Sequence, residues 1–425
     1  MAKLIPYAHQ DISREDIEAV CQVLRSDFLT TGPAIPAFED ALCAVTGAQY
    51  ACACSSATAA LHLTLAALGI GPDDYIMVTS ISFVSSANCA RFVGAGVRFI
   101  DVDEYGCIST EHLKLELERC VQQGKKLPAA VVAVDLGGHP CALDKLRELK
   151  EQYHFYLIED AAHSLGALYH GHHIGDGAFA DAVIFSFHPV KIITTAEGGA
   201  VLTNNEALYQ QACLLRSHGI VHDTDSLQQK DRPGYYYEMQ TLGWNYRISD
   251  LQAALGLSQL ERLDAFLTKR RELAAHWQEL LAPYQELGLI TLPRADEEQT
   301  KASWHLYQIR VKHQLRDELY RRLRQKQIGV QVHYLPIYSQ PYYRELAGEI
   351  HLAGADAFGA ETLSLPLYPG LTTLQWSFVT AQVCSTLDEL WGELKLDPQV
   401  SKQTGKDFHV LQTKRDLLRR FNKNN

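Results

Sequence analysis

The chain has 425 residues, 47% hydrophobic and 21% charged, with a formal net charge of −11 from 39 basic and 50 acidic side chains. That length is more than one small core can organise and suits a large domain joined to a smaller one. The acidic excess argues against a general nucleic-acid surface, which must be basic, and no apolar run approaches the roughly 20 residues of a membrane span.

The opening MAKLIPYAHQDISRED has no apolar signal-peptide core, so the cytoplasm is expected. The 10 cysteines are scattered, mostly in apolar runs, and are expected as reduced, buried thiols. Cys52 and Cys54 form a C-x-C with no second pair at zinc spacing, so no metal is expected.

In chain order, SREDIEAVCQVLRS reads as a helix capped by Ser13, with Ile17, Val20, Val23 and Leu24 on one face. FEDALCAVTG is a second helix, stopped by Gly47. QYACACS is a strand leading into the helix SATAALHLTLAALG. DYIMVTS, GVRFIDVD, AAVVAVDL, FYLIEDAA and DAVIFSF follow as short apolar strands separated by helices or turns. Nearly continuous apolar strands of this kind belong to a mostly parallel sheet covered on both faces, an α/β architecture. The large domain is placed at 11–250. A long helical pattern, ISDLQAALGLSQLERLDAFLTKRRELAAHWQELLAPY, leads out of it into a smaller α+β domain at 251–397. That domain contains the strand WHLYQIRV, a helix through RDELYRRLRQKQ and the strand-like GVQVHYLP. The segment 400–425 is polar and basic and is given no chemistry.

Four stations fall at the carboxyl ends of predicted strands, where α/β sheets bind ligands. At the first, Ser56, Ala57 and Thr58 open a helix whose free amides and hydroxyls suit a phosphate, although Ser and Thr also cap helices that bind nothing. The second is IEDAAHS, where Asp160 could pair with a protonated ring nitrogen or simply cap the next helix. At the third, SFHPVKIITTAEGG sets Lys191 in apolar and hydroxyl-rich surroundings. Desolvation there would leave a nucleophilic amine, and the alternative is a lysine reaching out from a loop. The fourth, GWNYRISD, offers Asn245 and Arg247 as donors at a turn, which an ordinary Asn turn would equally explain.

All four stations, in this order, resemble the DegT/DnrJ/EryC1/StrS sugar aminotransferases, fold-type I enzymes dependent on pyridoxal phosphate; the resemblance covers about 7–396. SFHPVKIITTAEGGAVLTN and LGWNYRISDLQAALGLSQLERL are its most specific segments. It implies a large domain with a mostly parallel seven-stranded sheet and a smaller C-terminal domain. Pyridoxal 5′-phosphate is the implied cofactor, bound covalently by Lys191, with Asp160 facing the ring nitrogen. Ser56, Ala57, Thr58 and Ser186 are the implied phosphate cup, Phe83 stacks on the ring, and His163 lies at its other face. Asn245 is implied to serve the site of a partner, hence a homodimer with shared sites.

Lys191 stands where a dehydrating sub-branch of the family carries His, which implies transamination. Details such as SDFLTTGP, TSISFVSSANC and QVHYLPIY resemble the branch that makes pseudaminic acid precursors. That branch implies L-glutamate as donor and the C4 keto group of a UDP-4-keto-6-deoxy-N-acetylhexosamine as acceptor. Tyr7, Asp27, Phe28, Leu29, Thr30, His188, Arg247, Gln331, Val332, His333 and Tyr334 would then line the sugar-nucleotide pocket. Tyr7 and Tyr334 could instead be packing aromatics. The rival acceptors are sugars of the 4-amino-arabinose or perosamine type, and the rival class is a non-catalytic regulator, against which Lys191 and Asp160 both stand. A dinucleotide-binding dehydrogenase lacks its G-x-G-x-x-G after the first strand.

Overall fold

The computed structural model describes residues 4–395, so the polar segment at 400–425 lies outside the described residues. The chain opens with α1 (Arg14–Leu24) and α2 (Ala34–Thr46). Ser13 accepts from the Asp16 amide while the Asp16 carboxylate accepts from the Ser13 amide, a reciprocal cap. α2 ends at Gly47 in the left-handed region, φ 88°. The apolar face of α1 is only partly covered. Ile17 is 58% exposed and Leu24 57%. Asp16 docks the helix instead, its carboxylate accepting from Ser258 Oγ (2.7 Å), Gln259 Nε2 (2.6 Å) and Arg262 Nη2 (2.6 Å). A carboxylate bonded this fully recovers its desolvation cost, which an apolar stripe does not foretell.

Seven strands make the central sheet: β1 (Tyr50–Cys54), β2 (Tyr75–Thr79), β3 (Gly96–Ile100), β4 (Ala130–Val134), β5 (Tyr156–Asp160) and, after the short pair β6 (Leu168–Tyr169) and β7 (His172–His173), β8 (Ala182–Ser186) and β9 (Gly199–Thr203). Their order is β1-β9-β8-β5-β4-β2-β3. The flanking helices are α3 (Ala57–Ala67), α4 (Ser85–Phe92), α5 (Thr110–Gln122), α6 (Leu143–Tyr153) and α7 (Glu206–Arg216). β2, β3, β4, β5 and β8 pair in parallel. β9, whose residues the sequence reading took as a motif and not as a strand, runs antiparallel between β1 and β8. Its first residue, Gly199, is therefore opposite both Cys54 and Ser186, the last residues of those neighbours. One edge of the sheet thus collects the ends of β1, β5 and β8 and the start of β9.

Beyond the hairpin β10 (Ile220–Val221) and β11 (Glu238–Met239), the long helical pattern is two helices, α8 (Asp250–Leu260) and α9 (Leu263–Glu286). The break is at Arg262, φ −103°, whose guanidinium also bonds Asp11 at 2.8 Å. An antiparallel sheet of β12 (Ile290–Thr291), β13 (Tyr307–Val311) and β14 (Thr362–Leu365) is joined by α10 (Arg316–Gln325), α11 (Pro341–Ala347), α12 (Ala353–Glu361) and α13 (Thr373–Lys395). Two hydrophobic cores result. The first surrounds the seven-stranded sheet and takes in Leu267 of α9 and Tyr343 and Phe358 from far along the chain. The second joins Trp277 and Leu281 of α9, Ile309 of β13, Leu363 of β14 and Val383 of α13, with Ile5 from the chain start.

Residues 329–336, expected as a strand, are irregular. Only Gln331 bridges, to Ser364, and the Gly329 amide is taken by the Ile5 carbonyl at 2.6 Å. Pro336 has no N–H to extend a ladder. The next amide, Ile337, donates to the Ser80 carbonyl at 2.9 Å, which ties this segment back to the sheet edge.

Candidate active site

The shared edge opens into a cavity of about 430 Å³ whose wall includes Lys191, Asp160 and the start of α3. Lys191 ends a tight turn closed by its own amide on the His188 carbonyl at 2.8 Å, and the loop is pinned where Phe187 donates to Gly198 and Thr195 donates to Phe187, each at 2.9 Å. Burial pushes the Lys191 amine down to about 8, with the Asp160 carboxylate opposing that fall. Burial also raises the Asp160 carboxyl, and the Ser86 hydroxyl, the Ala162 amide and Lys191 restrain it. Ser86 Oγ donates to Oδ2 at 2.6 Å and Ala162 N to Oδ1 at 3.3 Å. The site therefore holds an amine that gives up its proton far more readily than an ordinary lysine, in one cavity with a carboxylate whose bonds oppose the effect of burial.

Ser56 caps α3 from an extended backbone, its hydroxyl accepting from the Ala59 amide at 3.1 Å. The amides of Ala57 and Thr58 lie in the first turn, where a helix offers no acceptor and its dipole favours an anion. Gly199 makes the cup possible. A Cβ there would stand 2.4 Å from the Ala57 nitrogen and 2.4 Å from the Ser56 carbonyl carbon. Ser186, opposite Gly199, joins the wall beside Ser56 and Thr58.

Aromatic and imidazole rings close the cavity from the other side. Tyr7 and His333 have centroids 4.9 Å apart, His333 and Tyr334 5.0 Å, and Phe83 and Tyr334 6.4 Å. His163 lies nearly parallel to Tyr334 at 6.3 Å. The Gly137 amide donates to His163 Nδ1 at 3.1 Å, so the neutral ring carries its proton on Nε2. Burial, with Lys191 and His333 adding, holds the His163 pKa well below the usual imidazole range. His333 is pushed down to about 3 by burial and then by Lys191, and its Nδ1 pairs with Ser364 Oγ at 2.8 Å.

A family model described as the DegT/DnrJ/EryC1/StrS aminotransferase family matches residues 10–384. The chain belongs to that family. A relative from Campylobacter jejuni subsp. jejuni serotype O:23/36 (strain 81-176), named UDP-4-amino-4,6-dideoxy-N-acetyl-beta-L-altrosamine transaminase, is 38% identical over 394 residues, covering 91% of this chain and 98% of that protein. Among solved structures, Helicobacter pylori PseC, described as an aminotransferase involved in the biosynthesis of pseudoaminic acid, superposes with a TM-score of 0.81 at 31% identity, covering 91% of this chain and 100% of that one. A Streptococcus pneumoniae aminotransferase in its PLP form gives 0.80 at 27% identity, covering 91% and 99%. This member of the family is an aminotransferase whose cofactor is pyridoxal 5′-phosphate.

The aminotransferase cavity brings together most of the expected site: Tyr7, Ser56, Ala57, Thr58, Phe83, Asp160, His163, Ser186, His188, Lys191, His333 and Tyr334. Asp27, Phe28, Leu29, Thr30, Asn245, Arg247, Gln331 and Val332 are not in its wall. Several of these lie close by. Arg247 bridges to Cys54 at the end of β1, Asn245 bridges to Ser217, and Thr30 bridges to Ser249. Phe28 is 53% exposed and Leu29 48%, strapped to α8 by the Asp250 amide on the Leu29 carbonyl at 3.1 Å. Sequence reasoning missed Ser82, Glu197 and Gly198 in the wall and Ser86 behind it. The two serines carried no clear signal, because Ser82 precedes the Val84 cap of α4 and helical spacing does not govern it. Glu197 had none, because only the turn before β9 brings it to the cavity mouth.

Proposed function

We propose that the chain transfers an amino group from L-glutamate to the C4 keto group of a UDP-4-keto-6-deoxy-N-acetylhexosamine, with its cofactor held covalently by Lys191. The observation that carries the reading is an amine lowered to about 8 sharing one cavity with the buried Asp160 carboxylate and with the open first turn of α3. The residues fit pyridoxal 5′-phosphate. Gly199 leaves room at a cup of free amides where a Cβ would collide, and about 430 Å³ is within the usual range for a cofactor site.

The amides of Ala57 and Thr58, with the Ser56, Thr58 and Ser186 hydroxyls, would take the phosphate. Asp160 would hold the ring nitrogen protonated, with Phe83 and His163 at the ring faces. The bound cofactor supplies an electron sink that weakens the C–H bond beside the substrate nitrogen. Lys191, as a neutral amine, takes the proton from the α-carbon of glutamate and returns it on the far side of that nitrogen, base first and acid second. The same residues in reverse order aminate the sugar, so donor and acceptor alternate in the site.

Support for the sugar comes from the printed name of the 38% identical relative and from the description of PseC. Tyr7, His188, His333 and Tyr334 share the Lys191 cavity and would meet the hexose. Asp27, Phe28, Leu29, Thr30, Arg247, Gln331 and Val332 would contact the nucleotide end farther out. Asn245, close to the cup but outside its wall, would serve the site of a second copy in a homodimer. The cysteines are free thiols, which suits the cytoplasm, and among the described residues no helix is long and apolar enough to cross a membrane.

The test is optical. Protein saturated with pyridoxal phosphate should absorb at the violet edge of the visible, glutamate should convert that band, and Lys191→Ala should lack it. A colourless, unresponsive wild type rules out the reaction. Amination of UDP- or GDP-linked keto sugars of the perosamine or arabinose type in preference to the N-acetylated hexose would overturn the substrate alone.

A further inference from the structure

From the cavity wall inward runs a two-hydroxyl relay that the chemistry above does not use. Ser82 and Ser86 are buried, with Oγ atoms 2.7 Å apart, and Ser86 Oγ is 2.6 Å from Asp160 Oδ2. An ionised carboxylate can only accept, so the Ser86 proton must point to Asp160. The Ser86 oxygen is then the acceptor in the contact with Ser82, and Ser82 must donate. The polarity is fixed along the row, Ser82 to Ser86 to Asp160. It begins at a side chain in the cavity wall and ends on the carboxylate.

The local sequence builds this row. Ser86 is in the first turn of α4, Ser82 is four positions earlier in the lead-in, and β5 delivers Asp160 opposite them. A hydroxyl that donates to a charge is polarised and becomes a better acceptor itself, so two in series bind more strongly than two apart. Asp160 Oδ2 accepts the short bond from Ser86, while Oδ1 receives only the long 3.3 Å amide contact from Ala162. Oδ1 is the less engaged of the two oxygens.

We propose that Ser86, backed by Ser82, is a positioning residue that keeps Asp160 ionised and directs Oδ1 to the ring nitrogen of the cofactor. The proposal rests on the reading of Asp160 given above. Burial raises the carboxyl pKa, and the Ser86 bond is the first of the influences that oppose the rise. Without it the carboxyl takes up a proton more readily and the ring nitrogen loses its anionic partner.

The experiment compares cofactor-loaded wild type with Ser86→Ala, Ser86→Thr, Ser86→Cys, Ser82→Ala and Asp160→Asn. It records kcat, KM and the 15N shift of pyridoxal phosphate labelled at the ring nitrogen. Hydrogen bonds to charged groups predict a fall in kcat of about tenfold or more for Ser86→Ala with KM little changed. The 15N signal should move toward that of the unprotonated ring. Ser86→Thr keeps the hydroxyl and should restore both readouts; Ser82→Ala should move them the same way by roughly two- to threefold. If Ser86→Ala does not fold, Ser86→Cys, a weaker donor, should give the same direction with a smaller change. Wild-type kcat and 15N shift in the folded Ala or Cys variant, with Asp160→Asn impaired, overturn the relay alone. Wild-type values in Asp160→Asn overturn the reading of Asp160 as well.

Discussion

An ammonium held where Lys191 sits is a liability to the empty protein. Its ordinary value of 10.5 falls to about 8, so between those values the unfolded chain binds the proton more readily than the folded one. The stability cost is therefore full below pH 8 and is relieved as the pH rises from 8 toward 10.5. Lys191→Met should raise the stability of the cofactor-free protein at pH 7 by about 1–3 kcal/mol, the side chain being partly open to the cavity. Urea unfolding reads this, and a less stable Met variant would contradict it. The same amine must be neutral to capture an aldehyde. Capture of pyridoxal phosphate by the empty protein should accelerate from pH 6.5 to 9 and level above that, which stopped-flow absorbance would follow. A sequence can show that Lys191 is in apolar company. It cannot show the carboxylate 31 positions earlier that limits the shift, because β5, which ends at Asp160, and β8, which leads into the Lys191 loop, become neighbours only in the folded sheet.

At the scale of elements, β9 decides the phosphate cup. Its antiparallel course puts Gly199 against the Ser56–Ala57 backbone, where a methyl group has no space. Gly199→Ala should weaken pyridoxal phosphate binding by about tenfold or more, since the amides that take the phosphate must shift. Equilibrium dialysis gives the affinity, and unchanged binding would show that the cup does not depend on this approach. The α8–α9 junction rests on Arg262, which bonds both Asp11 and the buried Asp16. Arg262→Ala leaves that carboxylate with Ser13, Ser258 and Gln259 alone and should cost about 3 kcal/mol in urea unfolding at pH 7. Burial pushes Asp16 up, yet its bonds hold it below the usual value, so this contribution is present at neutral pH and is lost as the pH falls through the acid range. The exposed Ile17 and Leu24 of α1 show that periodicity reports which face is apolar, not which face is covered.

At the scale of the molecule, the two cores interlock. Tyr343 and Phe358 return to the sheet of the large core, and Ile5 enters the smaller one. Residues 329–336 are thereby suspended between them, and His333 and Tyr334 reach the cavity. Phe28, Leu29, Tyr235, Tyr237, Met239 and Leu242 are large apolar side chains left exposed. If Asn245 serves the partner, Lys191→Ala and Asn245→Ala protein mixed after mild dissociation should recover activity that neither has alone. With random reassembly the recovery should reach about a quarter of wild type. No recovery despite verified exchange would place each site within one copy.

By itself, the sequence determined six of the seven sheet strands and the helix caps at Ser13 and Gly47, and it marked Ser56, Asp160 and Lys191, which share one cavity. These depend on residue type, spacing and nearest-neighbour bonding, all of which are local. Only the tertiary structure decided the antiparallel insertion of β9, the polar docking of α1, the break at Arg262 and the partners of Asp160. Each of those is settled by which distant groups can share a buried charge, a hydrogen bond or the room for a missing methyl. Such terms have no value until the chain has brought the groups together.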